Sequence, residues 1–233
     1  MILLTGKRLN VEKITMASFD FGVKVDPQVF ERQINTSVTV NIQDYIKQGW
    51  EMFKEHVGEF LGFTLIIFVA YAVSSKLAFA GSLIISAVVA SLSAGYSIAA
   101  FKLMSGQQFE FADFFKGFNY FLPLFLASLA GGFLVGIGLA LLIIPGIYLA
   151  VSYMFATFLI LDYRMEFWQA LETSRKIISK NWFAFLGFAF ALFAINLLGC
   201  LALGVGLLVT IPVTSCAAAI AYKEIVGLNS TEW

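Results

Sequence analysis

One pattern recurs three times along the chain: a short charged segment with helical periodicity, then a long stretch without charge. Ile42, Tyr45, Ile46, Gly49, Trp50 and Phe53 recur at three- and four-residue steps, with Asp44, Lys47, Gln48, Glu51, Lys54 and Glu55 between them. This spacing predicts a helix with one apolar face. Phe111, Phe114, Phe115 and Phe118 repeat it opposite Glu110, Asp113 and Lys116. Phe167, Ala170, Leu171, Ser174 and Ile178 repeat it again, ending on Arg175, Lys176 and Lys180. Helices of this kind lie in the headgroup layer, anchored by tryptophan. Arg175, Lys176, Lys180, Trp182 and Trp50 are therefore the candidate lipid-headgroup contacts.

The stretches that follow are long. No Asp, Glu, Lys, Arg or His occurs from Gly117 to Leu161, nor from Asn181 to Tyr222. A bilayer-spanning helix takes about 20 apolar residues, so each stretch holds two spans. Six spans are predicted, over residues 58–75, 79–102, 120–143, 147–161, 182–203 and 205–226. The expected fold is an all-α membrane protein: six transmembrane helices as three hairpins, each preceded by a cytoplasmic amphipathic interfacial helix. Residues 1–40 read as a polar cytoplasmic leader, 41–227 as the membrane domain and 228–233 as a tail. The repeat units are 41–104, 110–163 and 166–227.

Within the leader, residues 19–25 and 37–40 alternate in strand fashion around Asp26-Pro27, which suggests one short hairpin in a loosely ordered segment. Ile2-Leu3-Leu4 is too short for a secretory signal. Met16 is a plausible alternative start, with residues 1–15 a tag-like leader.

Small residues mark where spans approach closely. In the second span, Ser82, Ser86, Ala90 and Ala94 form one stripe and Ala87, Ser91, Gly95 and Ala99 another, which places this helix at the bundle centre. Gly132, Gly136 and Gly138 form a packing face on the third span. Pro145-Gly146 predicts a sharp turn. Gly204, Gly206 and Pro212 are packing or hinge candidates in the sixth, where Pro212 either kinks the helix or starts it.

Asp44, Asp113 and Gln169 fall at the same offsets as Gly62, Gly131 and Gly187, and Phe60-Leu61-Gly62-Phe63 returns as Phe185-Leu186-Gly187-Phe188. This points to three units, each crossing an even number of times and so inserted in parallel. Of the 15 Lys and Arg, only Lys76 falls on the far side of the predicted spans. The positive-inside rule then puts both termini and all three amphipathic helices in the cytoplasm.

Composition agrees. Hydrophobic residues are 60% of the 233 and mean hydropathy is +0.86, against about 45–50% apolar in soluble domains. The formal net charge is zero, so no nucleic-acid partner is expected. His56 stands alone at a membrane entry. Cys200 and Cys216 lie in apolar stretches as packing residues, without metal spacing. Neither a cofactor nor a metal is expected. No catalytic motif is present, so no enzyme is expected. The deepest strongly polar residue is Asn196, either a helix–helix hydrogen-bonding group or a solute contact. Asp162 and Glu59 sit at span ends, within reach of water or headgroups.

The segment from Pro145-Gly-Ile-Tyr-Leu-Ala-Val-Ser-Tyr-Met-Phe-Ala, through Ala170-Leu-Glu-Thr-Ser-Arg-Lys and Trp182, to Gly204-Val-Gly-Leu-Leu-Val-Thr-Ile-Pro212 resembles a known family. It is similar to uncharacterised bacterial integral-membrane proteins related to the membrane domain of glycerophosphoryl diester phosphodiesterase. The resemblance covers about residues 42–227. It implies a multi-pass protein of the bacterial inner membrane. Some relatives carry a soluble phosphodiesterase domain; none is expected here, so the hydrolase activity is not carried over. Two functions are expected to compete. One is a non-enzymatic membrane module engaging lipids, anionic ones included, or a membrane partner or second copy. The other is a transporter or pore subunit for a small or lipidic solute.

Overall fold

The computed structural model describes residues 22–35, 39–74, 79–202 and 204–230, with the backbone alone for 73, 74 and 79–86. Residues 1–21, the turn at Lys76 and the side chains of Ser82 and Ser86 lie outside that description. Among the described residues all regular structure is helical, and the sole β contact is an isolated parallel bridge between Val23 and Met165. Five segments are long and apolar enough to cross a membrane, and a sixth is reached if one bent helix pair counts as a span.

The order is α1 (Glu31–Asn35), α2 (Ile42–Glu55), α3 (Val57–Ser74), α4 (Phe79–Met104), a 3-10 helix (Phe111–Tyr120) and α5 (Phe121–Leu141). There follow α6 (Ile143–Ser152), α7 (Ala156–Tyr163), α8 (Phe167–Ser179), α9 (Trp182–Leu201) and α10 (Leu207–Ile225). As the small-residue stripes predict, α4 is central: it touches α3, α5, α7, α10 and the 3-10 helix. Ala87, Ser91, Ala94 and Ala99 are buried on it.

The three leading helices do not rest free on a surface. Each turns its apolar face onto another helix of the same chain. α2 meets α3 at a 97° bend near His56 and lies along α10. There Gly49 is so close that a Cβ would fall 2.8 Å from the Val213 carbonyl oxygen. The 3-10 helix lies along α4, where a Cβ on Gly117 would fall 2.0 Å from the Ser91 oxygen. α8 packs on α5, α6 and α7; the Ser174 hydroxyl donates to the Ser152 carbonyl (2.7 Å) and accepts from the Phe155 N–H (3.1 Å). That serine bridges the break between α6 and α7. The three contact points, Ser91, Ser152 and Val213, lie at equal intervals along the chain.

Two predicted elements differ. The segment at 111–118 is a 3-10 helix, not an α-helix, and it runs on into α5 to make one long apolar segment, Phe111–Leu141. In a 3-10 helix residues three apart eclipse, so Phe114, Gly117 and Tyr120 form the buried face while Phe115 and Phe118 stay exposed. The close approach of Gly117 to α4 requires this register. The turn between the third and fourth spans lies at Leu142, whose backbone is extended, not at Pro145-Gly146. Pro145 occupies the first turn of α6, where its missing N–H costs no helical hydrogen bond.

The start of the described chain packs firmly. Phe30 is buried edge-on against Tyr163, 4.9 Å between ring centres. The Val25 N–H donates to the Gln169 side-chain oxygen at 2.9 Å, and the Gln169 amide donates back to the Val25 carbonyl. That two-point clasp imitates a strand pair. Gln169→Ala is expected to release residues 22–30 without unfolding the bundle, read as faster cleavage there in limited proteolysis at an unchanged melting temperature.

Candidate functional site

A cavity of about 620 Å³ opens between the helices. α4 contributes Ser93 and Ser97, α5 Ser128, α7 Thr157, α9 Asn196 and α10 Thr214 and Ser215; Tyr71 of α3 and Phe193 stand on its rim. Val89, Leu124, Met154, Phe158 and Leu192 supply apolar wall. No Asp, Glu, Lys, Arg or His lines it. Ser93, Met154 and Ser215 again lie at equal intervals along the chain, one each from α4, the α6–α7 turn and α10.

Asn196, singled out by depth in the sequence, is on this wall. Its amide donates to the Leu192 carbonyl and to the Thr214 hydroxyl, both at 3.1 Å, and its buried side-chain oxygen has no partner. The hydroxyl residues escaped the sequence reading because serine and threonine scattered through apolar spans resemble ordinary packing residues. The signal available was the regular interval between Ser93 and Ser215.

Beside Phe158 lies an aromatic cluster. Phe158 stacks on Tyr222 at 5.3 Å between ring centres, and Phe101 and Phe155 contact the same tyrosine ring at 5.7 and 5.5 Å. Tyr222 is held in place by Asp162, whose carboxylate accepts its hydroxyl (2.9 Å) and the N–H groups of Asn229 (3.0 Å) and Ser230 (2.9 Å). Asp162 is 2% exposed, which corrects the expectation of a water-accessible span end. No Lys or Arg among the described residues pairs with it; the C-terminal segment folds back and supplies the donors that burial demands.

The predicted headgroup contacts are scattered. Arg175 makes a two-point bond to Glu172 (2.9 and 2.7 Å), and Lys176 lies 3.6 Å from the same carboxylate. Hydrogen bonds from Arg175 lower the Glu172 carboxyl from its ordinary value, so these pairs are present above that value and are lost as pH falls through the lowered one. Lys180 is exposed at the end of α8. Trp182 packs on the Tyr148 ring (5.8 Å), and Trp50, 42% exposed, stacks on Phe53.

The predicted packing glycines divide. Gly138 meets Gly146 at the α5–α6 crossing, where a Cβ would fall 2.9 Å from the Gly146 Cα. Gly206 meets Gly199 in the same manner, and Gly204 takes a left-handed turn (φ +77°) that favours glycine. Gly132 and Gly136 face open space, with nothing within 4 Å of a Cβ, so they form no packing face within this chain. Pro212 is buried inside α10 and does not start it. His56 lies edge-on to Phe109. Cys200 is exposed, Cys216 buried, and neither forms a disulfide.

Comparison with protein-family models, with curated proteins and with solved structures finds no match to this chain.

Proposed function

We propose that this chain is a non-enzymatic multi-pass membrane protein that holds a small or lipidic solute inside its helix bundle, in the manner of a transporter subunit. The observation that carries this reading is the uncharged, hydroxyl-lined cavity, whose volume falls in the range of small-molecule sites, about 300–1,000 Å³. The lipid-belt alternative has less to work with, because Tyr45 and Phe53 of α2, Phe114 of the 3-10 helix and Ala170, Leu171 and Ile178 of α8 are buried within the protein itself, although Phe111, Phe115 and Phe118 stay exposed. Lys180, Trp50 and Trp168 remain exposed for headgroups.

The proposal includes a bacterial inner-membrane location with both termini cytoplasmic, supported by the one-sided distribution of Lys and Arg. It includes three parallel units, each a leading helix and a hairpin. The packing of each leading helix on the second span of the preceding unit, with α2 closing the ring on α10, supports them. Kinship with the phosphodiesterase-related membrane family remains part of the same reading.

Native mass spectrometry of the full chain extracted from its own membranes tests it. The wild type is expected to retain a bound molecule that Ser97→Phe and Ser93→Phe, which fill the cavity, both lose at near-normal melting temperature. Identical adducts on wild type and both variants would sink the proposal.

A further inference from the structure

We infer that the ligand of this cavity is an uncharged amphiphile bearing free hydroxyl groups, and that it enters from the lipid phase beside Tyr71 and Phe193. The inference rests on the solute-binding reading above and specifies its chemistry.

Charge is excluded first. An ion or a charged headgroup taken into a low-dielectric bundle needs an opposite charge to offset its lost hydration. The cavity wall offers none.

The hydroxyls decide what replaces it. Serine and threonine in helices commonly turn back to the carbonyl four residues earlier. Ser91, Ser128 and Thr214 do so here, to Ala87, Leu124 and Thr210. Ser93, Ser97, Thr157 and Ser215 do not: on three helices around the cavity they have no hydrogen-bond partner among the described residues. Ser97 is only 6% exposed and lines the cavity. Each hydroxyl offers one donor and two acceptor sites. A ligand with hydroxyls of its own satisfies both kinds; a purely apolar one satisfies neither.

The remaining wall is apolar, through Val89, Leu124, Met154 and Leu192. A polar strip facing an apolar wall fits a molecule with a polar end and a hydrocarbon part. The rim has the same character. Tyr71 and Phe193 are 56% and 62% exposed, and their helices also expose Val69, Phe190 and Leu197. In a bilayer such a rim faces acyl chains. Phe158 closes another part of the wall and is backed by the rings of Phe101, Phe155 and Tyr222.

The test uses the full chain in phosphatidylcholine nanodiscs, with thermal unfolding as the readout. A diacylglycerol (uncharged, one free hydroxyl) is titrated in one set and phosphatidate (charged, the same tails) in a second. Glycerol in the aqueous phase is the third arm. Diacylglycerol alone is expected to raise the melting temperature. The triple variant Ser97→Ala, Thr157→Val, Ser215→Ala keeps the cavity's shape and is expected to weaken that effect at least about 5-fold. An equal response to phosphatidate overturns the exclusion of charge. An equal response to glycerol overturns entry from lipid. No response in any arm, or one the triple variant leaves unchanged, overturns the assignment of ligand class. The native adduct and its loss on cavity filling still decide, separately, whether the cavity holds a solute.

Discussion

Gly95→Val and Gly117→Val are each expected to leave no folded protein after detergent extraction, seen as loss of the monodisperse peak in size-exclusion chromatography. The two glycines lie where α4 and the 3-10 helix Phe111–Tyr120 cross. A Cβ on Gly95 would fall 2.1 Å from the Phe114 carbonyl oxygen, and one on Gly117 would fall 2.0 Å from the Ser91 oxygen. Both obstacles are backbone, so no rotamer change relieves them. Even Gly95→Ala forces the two helices apart and forfeits dispersion along their whole contact, the main attraction between helices in lipid. Overpacking of this kind typically costs about 1–3 kcal/mol and sometimes more. For a chain of this length, that lowers the melting temperature by roughly 2–12 °C. Gly132→Ala and Gly136→Ala are the internal controls, since a Cβ there meets nothing within 4 Å. Both are expected to leave the melting temperature unchanged or slightly higher. Equal losses at all four sites would refute the close crossing.

Asp162→Ala is expected to destabilise by about 3 kcal/mol, because it orphans the buried Tyr222 hydroxyl and strips two N–H groups of the C-terminal segment of their acceptor. Asn229 and Ser230 are partly accessible and recover water; the Tyr222 hydroxyl does not. Tyr222→Phe should therefore cost only about 1 kcal/mol, and Asp162→Asn, which keeps one acceptor oxygen, should fall between the two. The second readout is local: Asp162→Ala should expose residues 227–230 to protease, while Tyr222→Phe leaves them protected. A tail that stays protected in Asp162→Ala would show that it is held by other contacts.

Asp162 also shows where reading along the chain fails. Its neighbours Tyr163 and Arg164 place it at the end of an apolar run, where water is the natural partner. The groups that actually satisfy it, Tyr222, Asn229 and Ser230, are remote in sequence. The 3-10 helix fails for a related reason. Phe111, Phe114, Phe115 and Phe118 carry an α-helical spacing, and only the backbone-to-backbone contact of Gly117 with α4 selects the tighter period. By contrast, the long uncharged stretches and the central place of α4 were legible in advance. The bilayer length requirement and the need for small side chains at close crossings act on the chain's own composition.

For the site, Asn196 was legible because a carboxamide deep in an apolar span is rare enough to stand out. Ser97 and Thr157 were not, since a hydroxyl in a span ordinarily satisfies itself on its own helix. Whether it has done so is visible only once the neighbouring helices are in place.

The sequence by itself determined a helical membrane domain, apolar enough for six expected crossings and punctuated by charged amphipathic segments. Each of these follows from hydropathy and period along one strand of chain. The described residues carry five such helices, or six if one bent pair counts as a span. Only the tertiary structure decided where the apolar faces of those segments go, which glycines touch backbone and which face open space, and that the span hydroxyls converge on one cavity. Those outcomes depend on pairs of residues far apart in the chain. A linear pattern shows that a face needs a partner, and packing alone shows which partner it has.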